Sequence, residues 1–199
     1  ERIWTGSAWG SESVINAADS SYPFYIQLAD GELRMAYTRA SDNYLVERIW
    51  TGSAWGSESV INAAYSYNPS YIQLADGELR IAYVSTSGYI YERVWSGSSW
   101  GSASTIVSTD SLFPHYIQLA DGELRIAYRR NSDGYLVERI WTGSAWGSES
   151  VINAAYSYNP SYIQLADGEL RIAYVSTSGY IYERVWSGSS WGSASTIVS

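Results

Sequence analysis

The sequence predicts an all-β fold, a β-propeller of four-stranded antiparallel blades, and three observations support this prediction. The tetrapeptide Glu-Arg-Ile/Val-Trp occurs five times, with spacings of 46, 45, 46 and 45 residues. Each period contains four short runs rich in apolar and aromatic residues, separated by Gly, Asp and Ser turn signals. No segment has a helical period. Four strands repeated at this spacing are typical of propeller blades.

The second repeat shows the predicted elements in order. Its four strands are expected over 71–75, 78–84, 89–95 and 100–107. The first pair turns at Asp76-Gly77, a dipeptide that favours a tight type I′ hairpin. A linker that contains Asp110 and Pro114 is expected to reach the next repeat.

The whole chain, 1–199, is predicted to be one repeat array with four full blades and a half-blade. The predicted segments are an outer hairpin of an incomplete blade at 1–17, blade 1 at 25–63, blade 2 at 71–108, blade 3 at 116–154 and blade 4 at 162–199. Inner strand pairs occur four times and outer pairs five times. Closure of a ring therefore requires a further inner hairpin, from other residues or from a second chain. A homodimer of this kind would have nine blades.

Composition excludes several classes of function. The 199 residues include no cysteine, so disulfides, thiolate metal sites and cysteine nucleophiles are excluded. All 12 cationic residues are arginines, the net charge is −8, and only Arg129 and Arg130 are adjacent, so we expect no nucleic-acid partner. No apolar run approaches the ~20 residues that span a bilayer, so we expect no membrane insertion. A lone His115 forms neither a histidine metal site nor a triad, and we expect no metal or cofactor.

Loop lengths predict the register between the second and third strands of each repeat. With a three-residue loop, Arg80 lies opposite Val94 and Glu92 lies opposite Ala82, and the four-residue loops of the longer repeats give the same register. The arginine and the glutamate then form a diagonal pair on one face, within side-chain reach. Trp95, three residues after the glutamate, points to the opposite face because strand side chains alternate.

Each cleft between neighbouring blades should therefore receive an arginine and a glutamate from one wall and a tryptophan from the other. A guanidinium and a carboxylate bind vicinal hydroxyls, and an aromatic face packs on the apolar patch of a sugar ring. The alternative is structural: a cross-strand salt bridge beside a core tryptophan. The aspartates that precede a glycine in each repeat are interpreted as turn residues, not as metal ligands or catalytic acids.

The stretches 79–83 and 91–100 resemble the blade core of the Aleuria-type fucose-binding propeller lectins and their small bacterial relatives. The resemblance covers about 30 of every 45 residues. The first hairpin of each repeat is instead similar to the blades of sialidase-like (BNR-type) propellers. The lectin resemblance implies sugar-binding residues at Arg34, Glu47, Arg80, Glu92, Arg125, Glu138, Arg171 and Glu183, pocket tryptophans at Trp4, Trp50, Trp95, Trp141 and Trp186, and second aromatics at Trp9, Trp55, Trp100, Trp146 and Trp191.

The expected function is non-catalytic, multivalent carbohydrate binding, with fucose as the candidate sugar and glycans as the partners. An enzyme is not expected, because a propeller active site needs different residues from different blades, and near-identical repeats do not supply them. The alternative is a symmetric or designed scaffold without a ligand, or a protein-interaction module. An extracellular location is implied by the resemblance alone.

Overall fold

The computed structural model describes residues 1–3, 5–16 and 18–198, and its regular structure consists of β-strands. The strands are β1 (Ser20–Gln27), β2 (Leu33–Arg39), β3 (Tyr44–Ile49), β4 (Ser59–Gln73), β5 (Leu79–Ser85), β6 (Ile90–Val94), β7 (Ser104–Val107), β8 (Ser111–Gln118), β9 (Leu124–Arg130), β10 (Tyr135–Ile140), β11 (Ser150–Gln164), β12 (Leu170–Ser176), β13 (Ile181–Val185) and β14 (Ser195–Val198). The described residues contain no helix able to cross a membrane. The predicted all-β class is confirmed.

The strands form two seven-stranded antiparallel sheets, in the orders β1 to β7 and β14 to β8. The long strands β4 and β11 each pair with the preceding strand through their first half and with the following strand through their second half. This pairing divides the chain into four antiparallel groups. We call them group 1 (β1, β2, β3 and 59–65), group 2 (66–73, β5, β6 and β7), group 3 (β8, β9, β10 and 150–156) and group 4 (157–164, β12, β13 and β14).

The register predicted from loop length is confirmed. Arg80 pairs with Val94 and Ala82 with Glu92, and the strands of the longer repeats have the corresponding partners. The predicted type I′ turn is wrong. Gly77 donates its N–H to the Leu74 carbonyl at 2.9 Å and has a φ of 91°. Gly77 is the one residue of this turn with a left-handed backbone conformation. The hairpin therefore has a three-residue loop with a G1 bulge.

The linkers expected around each proline are also wrong, because these residues lie in strands. Pro69 and Pro114 are inside β4 and β8, and the register shifts beside them. Asn68 and Phe113, which precede these prolines, have φ values of 49° and 57°. A bulge accommodates a residue without an N–H inside an antiparallel strand, and so the strand continues through it.

The hydrophobic core lies in layers between successive groups. One layer joins Ala36 and Leu45 of group 1 to Tyr71 and Ile81 of group 2, and equivalent layers follow along the chain. The second strands of groups 1 to 3 are consequently buried on both faces, as their continuous apolar sequence predicts, whereas β12 of group 4 is buried on one face.

Glutamine side chains form a further link between groups, which the sequence analysis missed. Gln73 accepts the Ala29 N–H at 2.7 Å, and Gln118 accepts the Ala75 N–H at 2.7 Å. Gln164 continues the series by accepting the Ala120 N–H at 2.8 Å. Groups 2, 3 and 4 are thus each fixed to the preceding group at its first-hairpin turn.

Candidate functional site

The predicted arginine, glutamate and tryptophan residues meet at the boundary between groups 3 and 4. Arg125 Nη1 lies 3.3 Å from the Glu138 carboxylate, and its Nε lies 2.6 Å from Glu123. The Arg125 guanidinium carbon is 4.4 Å from the centroid of Trp186, which belongs to the next group. Trp191 donates its indole N–H to Glu138 at 2.7 Å. Both tryptophans of the outer hairpin therefore contact the ion pair of the preceding group.

The same arrangement occurs at the two other boundaries. Arg34 lies 4.4 Å from the ring of Trp95, and Arg80 lies 4.7 Å from the ring of Trp141. The second tryptophan donates to the glutamate in both places, as Trp100 to Glu47 at 2.8 Å and Trp146 to Glu92 at 3.0 Å. The structure thus contains three equivalent sets.

A buried tyrosine completes each set, and the sequence analysis missed it. Tyr71, Tyr116 and Tyr162 donate their hydroxyls to Glu47, Glu92 and Glu138 at 2.7, 3.1 and 2.6 Å. Burial raises the pKa of each tyrosine well above its usual value, and the adjacent carboxylate raises it further. The phenols therefore keep their protons and act as donors. The invariant position of this tyrosine in the Tyr-Ile-Gln repeat was the available signal.

The ion pairs of the three sets are almost fully covered. Arg125 is 3% exposed and Glu138 is 1% exposed, and the other two sets are similarly buried. Each of these arginines is covered by the tryptophan ring of the next group. Glu138 accepts from Arg125, Tyr162 and Trp191, so its charge is balanced within the protein.

The sets near the two termini are different. Arg171 contacts Glu183 at 3.0 Å, but their side chains are 35% and 24% exposed, and no tryptophan of the described residues lies over this arginine. At the other end, Glu1 accepts the indole N–H of Trp55 at 3.0 Å. Trp50 packs edge-on against Trp55 at 5.6 Å. The predicted pocket residue Trp4 lies outside the described residues.

A cleft of about 440 Å³ opens beside the set between groups 3 and 4. Its lining includes the carboxylate-bearing Glu138, the rings of Trp186 and Trp191, and the hydroxyl-bearing Ser150 and Ser189. Arg184 also borders the cleft, although the sequence analysis did not select it. The cleft therefore combines aromatic faces with hydrogen-bonding groups, the combination that a sugar ring requires.

Two other features of the described structure, a further cavity and the acidic side chains, bear on binding and metal sites. A cavity of about 750 Å³ lies among the first-hairpin turns, and its lining of apolar, amide and tyrosine side chains includes no charged residue. Within residues 1–3, 5–16 and 18–198, no group of three or more His, Asp or Glu side chains is placed to hold a metal ion.

Solved structures with the same fold include several propeller lectins. AofleA from Arthrobotrys oligospora, as a triple arginine mutant, matches with a TM-score of 0.75 at 16% identity, over 98% of this chain and 63% of that one. The SapL1 lectin in complex with α-methyl fucoside matches with a TM-score of 0.73 at 17% identity, over 100% and 74%. Aleuria aurantia lectin in complex with Fucα1-6GlcNAc matches with a TM-score of 0.70 at 21% identity, over 99% and 70%.

The chain resembles a propeller lectin of the Aleuria type. It spans about 63% of the length of AofleA. A microbial sialidase, Hz136, and an exo-β-1,3-galactanase from Phanerochaete chrysosporium also match, with TM-scores of 0.68 and 0.69 at 12% and 11% identity. The chain thus shares its fold with both lectins and enzymes. No protein-family model matches the chain, and a comparison with curated proteins finds no significant relative.

Proposed function

We propose that this protein binds carbohydrate without catalysis, at the clefts between successive groups. The observation that carries the proposal is the cleft beside Trp186 and Trp191, where two tryptophans border one space together with the hydroxyl-bearing Ser150 and Ser189. The structural neighbours include lectins in complex with fucosides, which makes fucose the first sugar to test. Because the set repeats, a ligand surface with several sugars would be bound multivalently.

The residues of each set have different roles in this proposal. The pocket tryptophans, Trp95, Trp141 and Trp186, pack against the sugar ring. Each glutamate is a positioning residue, because it is buried and its carboxylate holds the second tryptophan and the tyrosine in place. Each buried arginine is a positioning residue, since it supports the tryptophan and balances the glutamate. The set at Arg171 and Glu183 would become equivalent when another tryptophan covers it.

We further propose that each group is one propeller blade, corresponding to segments 25–63, 71–108, 116–154 and 162–199. Residues 1–17 would be the outer hairpin of another blade. In support, Gly10 donates to the Ile3 carbonyl and Ser13 to the Glu1 carbonyl, both at 2.9 Å, which is antiparallel pairing. A second copy of the chain, or additional residues, would supply the inner hairpin that closes the ring.

A scaffold without a ligand is the second candidate. The burial of Arg125 and Glu138 favours it, because an ion pair satisfied inside the protein needs no ligand to explain it. The two candidates differ in one measurable property, which is sugar binding by the folded protein.

A glycan-array screen tests the proposal, with the mass in solution measured on the same sample. The binding-deficient variant is Ser98→Tyr, Ser144→Tyr and Ser189→Tyr combined, since Ser189 lines the cleft and the other two occupy its position in the repeats. Ser178→Tyr, in the loop between β12 and β13, is the control. We expect the wild type and the control to bind fucosylated or other glycans and the triple variant to lose binding. No binding by a folded, monodisperse wild type would contradict the proposal.

A further inference from the structure

The arginine that follows the glutamate in each repeat is ion-paired in groups 1 and 3. In group 3, Arg139 Nη2 lies 3.6 Å from Glu149, and Arg139 Nε donates to the Tyr128 hydroxyl at 3.0 Å. Tyr128 donates in turn to Glu149 at 2.6 Å. Burial opposes ionisation of Glu149, but the hydrogen bonds from Tyr128 and Arg130 hold its pKa below the ordinary value. Group 1 has the same arrangement around Arg48.

Groups 2 and 4 keep this arginine but have alanine in place of the glutamate. In group 4, Arg184 Nη1 donates to the Gly192 carbonyl at 2.5 Å and Nη2 donates to Asn153 Oδ1 at 2.8 Å. Its buried Nε has no hydrogen-bond partner. No ion pair of Arg184 is found among the described residues, since its contacts are with neutral oxygens. Ala194 stands at the position of Glu149.

Group 2 repeats this arrangement independently. Arg93 Nη1 donates to the Gly101 carbonyl at 2.5 Å, Nη2 donates to Asn62 Oδ1 at 2.8 Å, and Nε again has no partner. Ala103 replaces the glutamate there. In two of the three complete clefts this arginine thus donates only to neutral oxygens, whereas Arg139 of the middle cleft is paired with Glu149.

A pocket of about 230 Å³ lies beside Ala194, the residue that replaces the glutamate. Its lining includes Ala194, Tyr174 and Asn153. Tyr174 is the counterpart of Tyr128, which binds Glu149 in group 3, and Asn153 is the residue that holds Arg184. The pocket therefore adjoins the counterpart of the tyrosine that binds the carboxylate in group 3, and the asparagine that holds Arg184.

The ligand group that matches this site is an anion with several acceptor oxygens. A guanidinium binds carboxylate or sulfate oxygens through charge-assisted hydrogen bonds, often in a bidentate manner. The protein has a net charge of −8, so a general attraction for anions does not explain such binding. The selectivity would come from Arg93 and Arg184 themselves.

We propose that the clefts of Arg93 and Arg184 bind acidic saccharides, whose carboxylate or sulfate group takes the place of the Glu149 carboxylate. This inference rests on the proposed function, because it assumes that saccharides enter these clefts. The cleft beside Arg139 already has its own carboxylate and should bind neutral saccharides.

The experiment is a glycan array with matched triplets: a neutral glycan, its uronic-acid form and its sulfated form. Two double variants are compared with the wild type. Ala103→Glu with Ala194→Glu supplies the carboxylate that groups 1 and 3 have. Arg93→Gln with Arg184→Gln removes the charge. Circular dichroism establishes that each variant is folded.

We expect the wild type to prefer an acidic glycan by about tenfold, the effect of roughly one charge-assisted contact. Both double variants should lose this preference, and Ala103→Glu with Ala194→Glu should retain binding to neutral glycans. The uronic and sulfated members distinguish a carboxylate from a sulfate as the bound group. Neutral binding without an acidic preference, or a preference unchanged in Arg93→Gln with Arg184→Gln, would overturn this inference alone. Absence of binding to every glycan would overturn the proposed function as well.

Discussion

The guanidinium of Arg80 lies 4.7 Å from the centroid of the Trp141 ring, although the two residues belong to successive groups. Arg80 also contacts Glu92 at 3.3 Å and Glu78 at 2.6 Å within its own group. The indole ring thus covers an ion pair that would otherwise face solvent. The stability of group 2 therefore depends on the position of Trp141 in group 3.

Arg80→Ala should destabilise the protein far more than Arg171→Ala. Removal of one partner from a buried ion pair costs about 3–5 kcal/mol, whereas an exposed pair contributes about 0–1 kcal/mol. The Arg80 and Arg171 side chains are 9% and 35% exposed, and both lie in the same local sequence. Urea unfolding of the two variants measures the difference. Equal losses would show that Arg171 is covered in solution by another element.

Alanine at Gly88 should cost more stability than alanine at Gly179. Both glycines have positive φ, 75° and 79°, so both variants carry the backbone strain of a left-handed alanine, about 1–2 kcal/mol. A Cβ on Gly88 would lie 2.9 Å from the Asp110 Cα, whereas a Cβ on Gly179 meets nothing within 4 Å. The clash should add about 1–3 kcal/mol in Gly88→Ala. Thermal unfolding measures both, and equal melting temperatures would contradict the packing of group 2 against group 3.

His115 should make the protein less stable in mild acid. Burial lowers the pKa of His115 from 6.5 to about 4, and its Nδ1 accepts the Tyr162 N–H at 3.4 Å. The unfolded chain binds a proton below pH 6.5 while the folded protein does not until about pH 4. The stabilisation is therefore complete above pH 6.5 and lost as the pH falls towards 4, up to about 3 kcal/mol.

His115→Ser provides the matched control, because serine occupies this position as Ser70 and Ser161 in groups 2 and 4. The free energy of unfolding of each protein is measured between pH 7 and pH 4. We expect the difference in free energy of unfolding between the two proteins to change with pH by the contribution of His115. The carboxylates affect both proteins alike. Parallel pH profiles would show that His115 titrates normally and is solvated.

Alternation and loop length were sufficient to predict the register of the second and third strands, because a three- or four-residue loop leaves few pairings. They also placed Arg80 and Trp95 on opposite faces. The turn at Asp76-Gly77 was mispredicted because the flanking Ala75 joins the loop and leaves the glycine alone left-handed. Pro114 was interpreted as a linker residue because a proline inside a strand needs a bulge, which composition does not reveal.

The residues of the candidate site were predicted, but their burial was not. Sequence alone places Arg125 and Glu138 within reach of each other, yet only the packing of group 4 shows that Trp186 covers the guanidinium. The unpaired state of Arg184 was visible in principle, because Ala194 replaces the repeated glutamate. The sequence does not reveal the pocket beside Ala194, on which the proposed anion site depends.

The most direct test of saccharide binding between groups is the response of the tryptophan indole signals in an NMR titration. The protein is labelled with ¹⁵N-tryptophan and titrated with α-methyl fucoside and with the strongest glycan from the array. We expect the indole N–H signals of Trp186 and Trp191 to shift, because these rings line the cleft with Glu138. Assignment uses Trp186→Phe and Trp191→Phe. Indole signals that stay fixed at saturating glycan, in a folded protein, would contradict binding at these clefts.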